Sequence, residues 1–251
     1  WSAPAWMKTS NSLIKGRLKP EHYGSFARYL VSYTQAMRKA GAPVDILTIQ
    51  NEPHFEPDNY PGMRVEPAER AAFIANHLGP LMRRSLPGTK LLDWDHNWDQ
   101  PESPTAVLSD AKAAAFVDGV AWHCYAGDVA AQSVVRDRFP SKQVWFTECA
   151  SGNWSGDWSK SFNWTIRNLI IGSTRNWAKG VVMWNLALDE KHGPHLGGCG
   201  NCRGLVTINS QSGEVTREPE YYAFAHASKF VRAGSVRVAS MSTDKAIESV
   251  A

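Results

Sequence analysis

The chain has 251 residues, 43% hydrophobic and 20% charged, a balance that suits a soluble globular protein and excludes a disordered one. The net charge of +3 comes from Lys and Arg scattered along the chain, so no nucleic acid partner is expected. No apolar run reaches the length of a membrane helix, and no integral membrane segment is expected.

Residues 21–40 place Phe26, Tyr29, Leu30, Tyr33 and Met37 at helical spacing, which predicts a helix that Gly41 ends. The apolar run at 44–50 predicts a strand. Pro67 opens a second helix over 67–84, with Phe73, Ile74, His77 and Leu78 on one side. The alternation continues with a strand at 90–94 and a helix at 106–116. A strand at 119–125 and a helix near 129–137 come next, then a strand at 144–149, a helix at 161–177 and a strand at 180–186. Nearly continuous apolar strands alternating with helices predict a parallel sheet, and the closed (β/α)₈ barrel is the usual architecture with so many repeats.

The strand ends carry the chemistry. Glu52 follows the first strand, Asp95 and His96 the second, His123 and Tyr125 the third, Glu148 the fourth, and Trp184 and Asn185 the fifth. In a parallel barrel these ends share one face, where catalytic groups collect. Two carboxylates flanking a sugar suit glycoside hydrolysis, with Glu52 as general acid and then base, and Asn51 on the adjacent sugar hydroxyl. A strand-end Glu taken singly reads equally well as half of a surface ion pair; two on one rim with His, Tyr and Trp do not. The eleven Trp point the same way. In WDHNWDQ (94–100) and SGNWSGDW (151–158) indoles stand beside short polar side chains, which predicts platforms for sugar rings rather than core packing.

Cys124 and Cys149 lie in predicted strands and read as small buried thiols. Cys199 and Cys202 form a C-x-x-C in a Gly-rich loop, where a disulfide is expected; a zinc pair completed by His192 and His195 is the alternative. His22, His54, His77 and His96 show no metal-ligand spacing, so no metal and no cofactor are expected. Asn153 and Asn163 head glycosylation sequons.

The motifs WSAPAWMK (1–8), TIQNEP (48–53), AWHCY (121–125), FTECA (146–150), MWNLALDEKHGP (183–194) and YYAFAHASKFVRAGSVRV (221–238) resemble glycoside hydrolase family 30, the glucosylceramidase and endo-β-1,6-glucanase family. The resemblance implies a retaining enzyme with Glu52 as acid/base and Glu148 as nucleophile. Asn51, His123 and Trp184 would contact the sugar, and Tyr125 would hydrogen-bond the nucleophile. The implied substrate is a β-glucan with 1,6 linkages, then glucosylceramide or another β-glucoside; a catalytically silent carbohydrate-binding relative is the alternative. It also implies a fragment holding strands four to eight, with the partial catalytic barrel at 1–233 and the start of a C-terminal β-sandwich at 234–251. A secreted or extracytoplasmic location is expected.

Overall fold

A computed structural model describes residues 1–244 and 246–251. Short turns at Ala5–Met7 and Pro20–His22 lead into α1 (Tyr23–Lys39), β1 (Ile46–Thr48), α2 (Pro67–Phe73), a π-helical segment Ile74–Leu78, α3 (Gly79–Ser85) and β2 (Lys90–Asn97). These are followed by α4 (Glu102–Ser109), α5 (Ala111–Ala114), β3 (Gly119–His123), α6 (Ala131–Arg138), β4 (Gln143–Glu148) and β5 (Ser151–Gly152). The chain continues through α7 (Trp158–Trp164), a second π-helical segment Thr165–Gly172, α8 (Ser173–Arg175), β6 (Ala178–Val181), β7 (Ala187–Asp189), β8 (Cys202–Arg203), β9 (Val206–Ile208), β10 (Val215–Arg217) and α9 (Pro219–Ser228).

The main sheet runs β1-β2-β3-β4-β6, and every neighbouring pair is parallel. Strands adjacent in sequence are adjacent in space, each joined to the next through helix, as an arc of a parallel barrel requires. All five residues of β3 are buried. Leu91, Trp94, Val120, Trp122, Val144 and Phe146 join Phe26, Val31, Ile74, Leu78 and Leu169 from the helices in one apolar core. Small satellites complete the fold: β10-β9-β7 and the β5-β8 pair.

Several expectations change on folding. The α1 face that packs is Tyr23, Phe26, Ala27, Val31 and Thr34, while Tyr29 and Tyr33 are about half exposed. The helix expected at 106–116 breaks into α4 and α5 because the Asp110 carboxylate caps Lys112 and Ala113. The strand expected at 180–186 ends at Val181, and the chain re-enters extended structure as β7 in a separate sheet. Trp94 and Trp98 are not sugar platforms. Both are buried, with their indole N–H groups donating to Asn97 O and Gln132 Oε1, whereas Trp154 and Trp158 are half exposed.

Cys124 and Cys149 are joined in a disulfide rather than standing as separate thiols, because the paired β3 and β4 bring their Cα atoms to 5.4 Å. Cys199 and Cys202 are joined as expected. Among the described residues, 234–251 contain no strand. No described helix is long and apolar enough to cross a membrane.

Candidate active site

The C-terminal ends of β1, β2, β3 and β4 meet around one imidazole. His123, fully buried at the end of β3, has Nδ1 3.2 Å from Glu52 Oε1 and Nε2 3.0 Å from Asp95 Oδ1. Glu148 Oε2 lies 4.0 Å from the same Nε2. A single ring therefore spans the two glutamates. Tyr125, two residues past His123, donates its hydroxyl to Glu148 Oε1 at 3.0 Å.

Local backbone irregularities bring these groups together. In a regular strand Asp93 and Asp95 would face the same side. The β2–β3 register instead shifts between Trp94 and His96, and Trp94 and Asp95 have positive φ of 78° and 56°. Consequently Asp93 pairs outward with Arg70 of α2, while Asp95 turns to the site and accepts from Thr48 Oγ1 at 2.6 Å and Thr147 Oγ1 at 2.7 Å. This is the re-aiming that a β-bulge performs beside an active site. Glu52 also has a left-handed backbone, φ 48°, which costs a β-carbon about 1–2 kcal/mol. Its amide donates to Asp95 O at 2.9 Å, and its carbonyl accepts from the Phe55 amide, so the surrounding hydrogen bonds hold the strained turn.

The electrostatics separate the two glutamates. Burial opposes ionisation of Glu52, but His123 and then His96 outweigh it and hold the carboxyl at about 2. Burial pushes Glu148 up to about 7; the His123 charge opposes the shift and the Glu52 charge adds to it. Burial also disfavours the His123 cation, yet its bonds to Asp95 and Glu52 raise it to about 10. The Tyr125 hydroxyl is raised far above the ordinary tyrosine range by burial and by Glu148, so it remains a donor. Of the two glutamates, Glu148 therefore keeps a proton to the higher pH.

Of the residues read from the sequence, Glu52, His123, Tyr125 and Glu148 converge directly. The Asn51 side chain adjoins Glu52 and finds no hydrogen-bond partner among the described residues. The Trp184 amide donates to Cys149 O, which ties it beside Glu148. Asn185 does not offer its amide oxygen to the cleft; that atom accepts from the Ala187 amide. Thr147 and Tyr60 carry no strand-end signal and join the site only in the structure. Tyr60 is raised to about 12, first by burial and then by the charges of Glu52 and Glu148, and it packs edge-on to exposed Trp1 at 5.8 Å. Asp95 was legible as a strand-end carboxylate; Tyr60 lies in a loop with no periodic signal. The Cys199–Cys202 loop reaches this rim, where a Cβ on Gly198 would lie 3.5 Å from the Tyr60 ring.

Residues 1–231 match the glycosyl hydrolase family 30 TIM-barrel domain. The chain belongs to this family. Family 30 relatives include an endo-1,6-β-D-glucanase of Aspergillus fumigatus, 39% identical over 94% of this chain and 50% of the relative, and one of Neurospora crassa, 36% identical over the same shares. The mouse lysosomal acid glucosylceramidase is 30% identical, covering the whole chain and 52% of the relative. A solved endo-β1,6-glucanase superposes with a TM-score of 0.92 at 33% identity, over 98% of this chain and 58% of its own. The chain thus spans about half the length of the curated relatives it matches. This family 30 chain supplies five parallel strands to the α/β barrel architecture.

Proposed function

We propose that the chain belongs to a retaining β-glycosidase that cleaves β-glucosidic bonds through two glutamates, acting within β-1,6-glucan. The observation that carries this is the pair Glu52 and Glu148 set on either side of His123, one bound to the imidazole and the other to Tyr125. The endo-1,6-β-glucanase names of three relatives 36%, 39% and 37% identical support the linkage; glucosylceramide or another β-glucoside is the next substrate class. A catalytically silent sugar-binding relative would lack one of the glutamates, and both are present.

Glu148 attacks the anomeric carbon and becomes glycosylated, while Glu52 protonates the leaving oxygen and then activates water. These roles need a proton on Glu52 when the bond breaks, the reverse of the order in which the two groups hold one in the free site. A sugar seated against Glu148 brings hydroxyl donors and an electron-poor carbon to that carboxylate. It thereby favours its charged form and leaves the proton to Glu52. Asn51 and Trp184 adjoin this position and contact the sugar. Asn185 shapes the turn beneath. Residues 1–233 form the partial (β/α)₈ catalytic barrel, about strands four to eight, and 234–251 the start of a C-terminal β-sandwich. Two disulfides suit an oxidising, extracytoplasmic compartment.

The test is chemical rescue in the purified enzyme. Glu148→Ala should lose turnover and regain it with azide, giving a product of inverted configuration. Glu52→Ala should still be glycosylated by substrates with good leaving groups, and azide should return a product of retained configuration. A fluorosugar label on Glu52, or inversion by the wild type, would overturn the assignment.

A further inference from the structure

His96 has no part in the glycosidase chemistry just described, yet it is only 6% exposed and, among the described residues, its Nδ1 has no hydrogen-bond partner. Leaving a buried ring nitrogen unpaired costs about 1–3 kcal/mol. The atom is aimed at Glu52 Oε1, 3.6 Å away and too far for a hydrogen bond. His123 Nδ1 approaches the same oxygen from another strand at 3.2 Å. Glu52, His96 and His123 each offer one ligand atom within 4.8 Å of the others', and all three residues are buried.

A tetrahedral ion bonded to nitrogen and carboxylate oxygen at about 2.0–2.2 Å separates its ligands by roughly 3.4 Å. The two approaches to Glu52 Oε1 bracket that spacing. The outer support is also in place: His123 Nε2 faces Asp95 Oδ1 at 3.0 Å, and Asp95 is itself fixed by Thr48 and Thr147. Carboxylate–histidine–metal triads use this arrangement to orient the ligand nitrogen. Acidic groups gather here too, since Glu52, Asp95 and Glu148 all come within 4.0 Å of the His123 ring. Two imidazoles with one carboxylate select a borderline ion such as Zn²⁺ over Mg²⁺ or Ca²⁺, which prefer oxygen.

We propose that Glu52, His96 and His123 form a site for a divalent transition cation, Zn²⁺ in the simplest case, whose occupancy blocks glycoside cleavage. The ion takes the lone pairs of His96 Nδ1, His123 Nδ1 and Glu52 Oε1. The proton on His123 Nδ1 passes to water, and Nε2–H continues to donate to Asp95. Solvent fills the fourth position. Glu52 bound to the ion can neither protonate a leaving group nor accept a proton from water. The blocking of activity rests on the role of Glu52 proposed above; the binding itself does not.

The experiment titrates the purified protein with Zn²⁺ alone by calorimetry, and with Co²⁺ alone by visible absorption. One Zn²⁺ per chain is expected, together with the ligand-field bands of a tetrahedral Co²⁺ site. Asp95→Asn should weaken binding about 10- to 100-fold by releasing the His123 ring, and His96→Ala should weaken it at least as much. His96→Asn repeats the test should the alanine variant not fold. His195→Ala, in the disulfide loop remote from these ligands in sequence, should bind as the wild type does. No stoichiometric binding at millimolar Zn²⁺, or binding indifferent to both His96 variants, overturns the site. Binding that needs His96 but leaves turnover intact overturns the block and, separately, the catalytic role of Glu52.

Discussion

Tyr125→Phe removes one hydroxyl and leaves the ring, so it isolates the 3.0 Å donor bond to Glu148. A hydrogen bond to a charged group is worth about 1.5–3 kcal/mol, which corresponds to raising the Glu148 pKa by about one to two pH units above its resting value. That resting value is about 7. The sign is fixed: Tyr125 stabilises the carboxylate, so losing it makes the carboxylate harder to form. The acidic limb of kcat/KM, where the nucleophile must ionise, should move to higher pH. Well below both midpoints the variant should be slower by about 10- to 100-fold, and above both the two profiles should draw together. The assay is kcat/KM against pH on an aryl β-glucoside with a good leaving group, which spares the acid step. An unmoved acidic limb, or a loss of equal size at every pH, would show that Tyr125 does not act through Glu148 ionisation.

The His123 imidazole is raised from an ordinary 6.5 to about 10, so its stabilisation is complete below pH 6.5 and lost as pH rises through 10. Melting temperature should fall between pH 7 and 10, and His123→Asn should flatten that slope; an unchanged slope refutes the assignment. The Cys124–Cys149 bridge closes a separation of 25 residues, worth about 3.5 kcal/mol by loop-closure entropy. The double Ser variant should therefore melt roughly 10 °C lower, and non-reducing peptide mapping should recover the linked pair. Gly197 holds φ of 74° with the Asn59 carbonyl oxygen where a Cβ would stand. Gly197→Ala should cost at least about 1–2 kcal/mol and raise KM by displacing the loop from Tyr60. A raised KM with an unmoved melt would also place the loop against substrate; no change in either would refute the contact.

By itself the sequence determined the layered α/β arrangement and the placing of both glutamates, because these depend on local rules. A period-two or continuous apolar run makes a buried strand, a 3.6-residue period makes a helix, and an acid straight after a strand must sit at its end. Glu52, His123, Tyr125 and Glu148 were legible on those grounds alone. Tertiary structure decided what depends on neighbours far along the chain. Asp95 reaches the site only because two left-handed residues turn it away from the face Asp93 takes, and strand periodicity cannot register one irregular pair. Trp94 and Trp98 stand among polar residues in sequence yet bury their rings, since their N–H groups find acceptors at Asn97 and Gln132. Cys124 and Cys149 become a bond only when β3 and β4 pair. Tyr60 joins the glutamates through a loop whose path is set by packing against Trp1 and the Cys199–Cys202 turn. Local pattern encodes which groups a strand presents, whereas their partners come from the register between strands and the packing of loops, and no single segment contains that information.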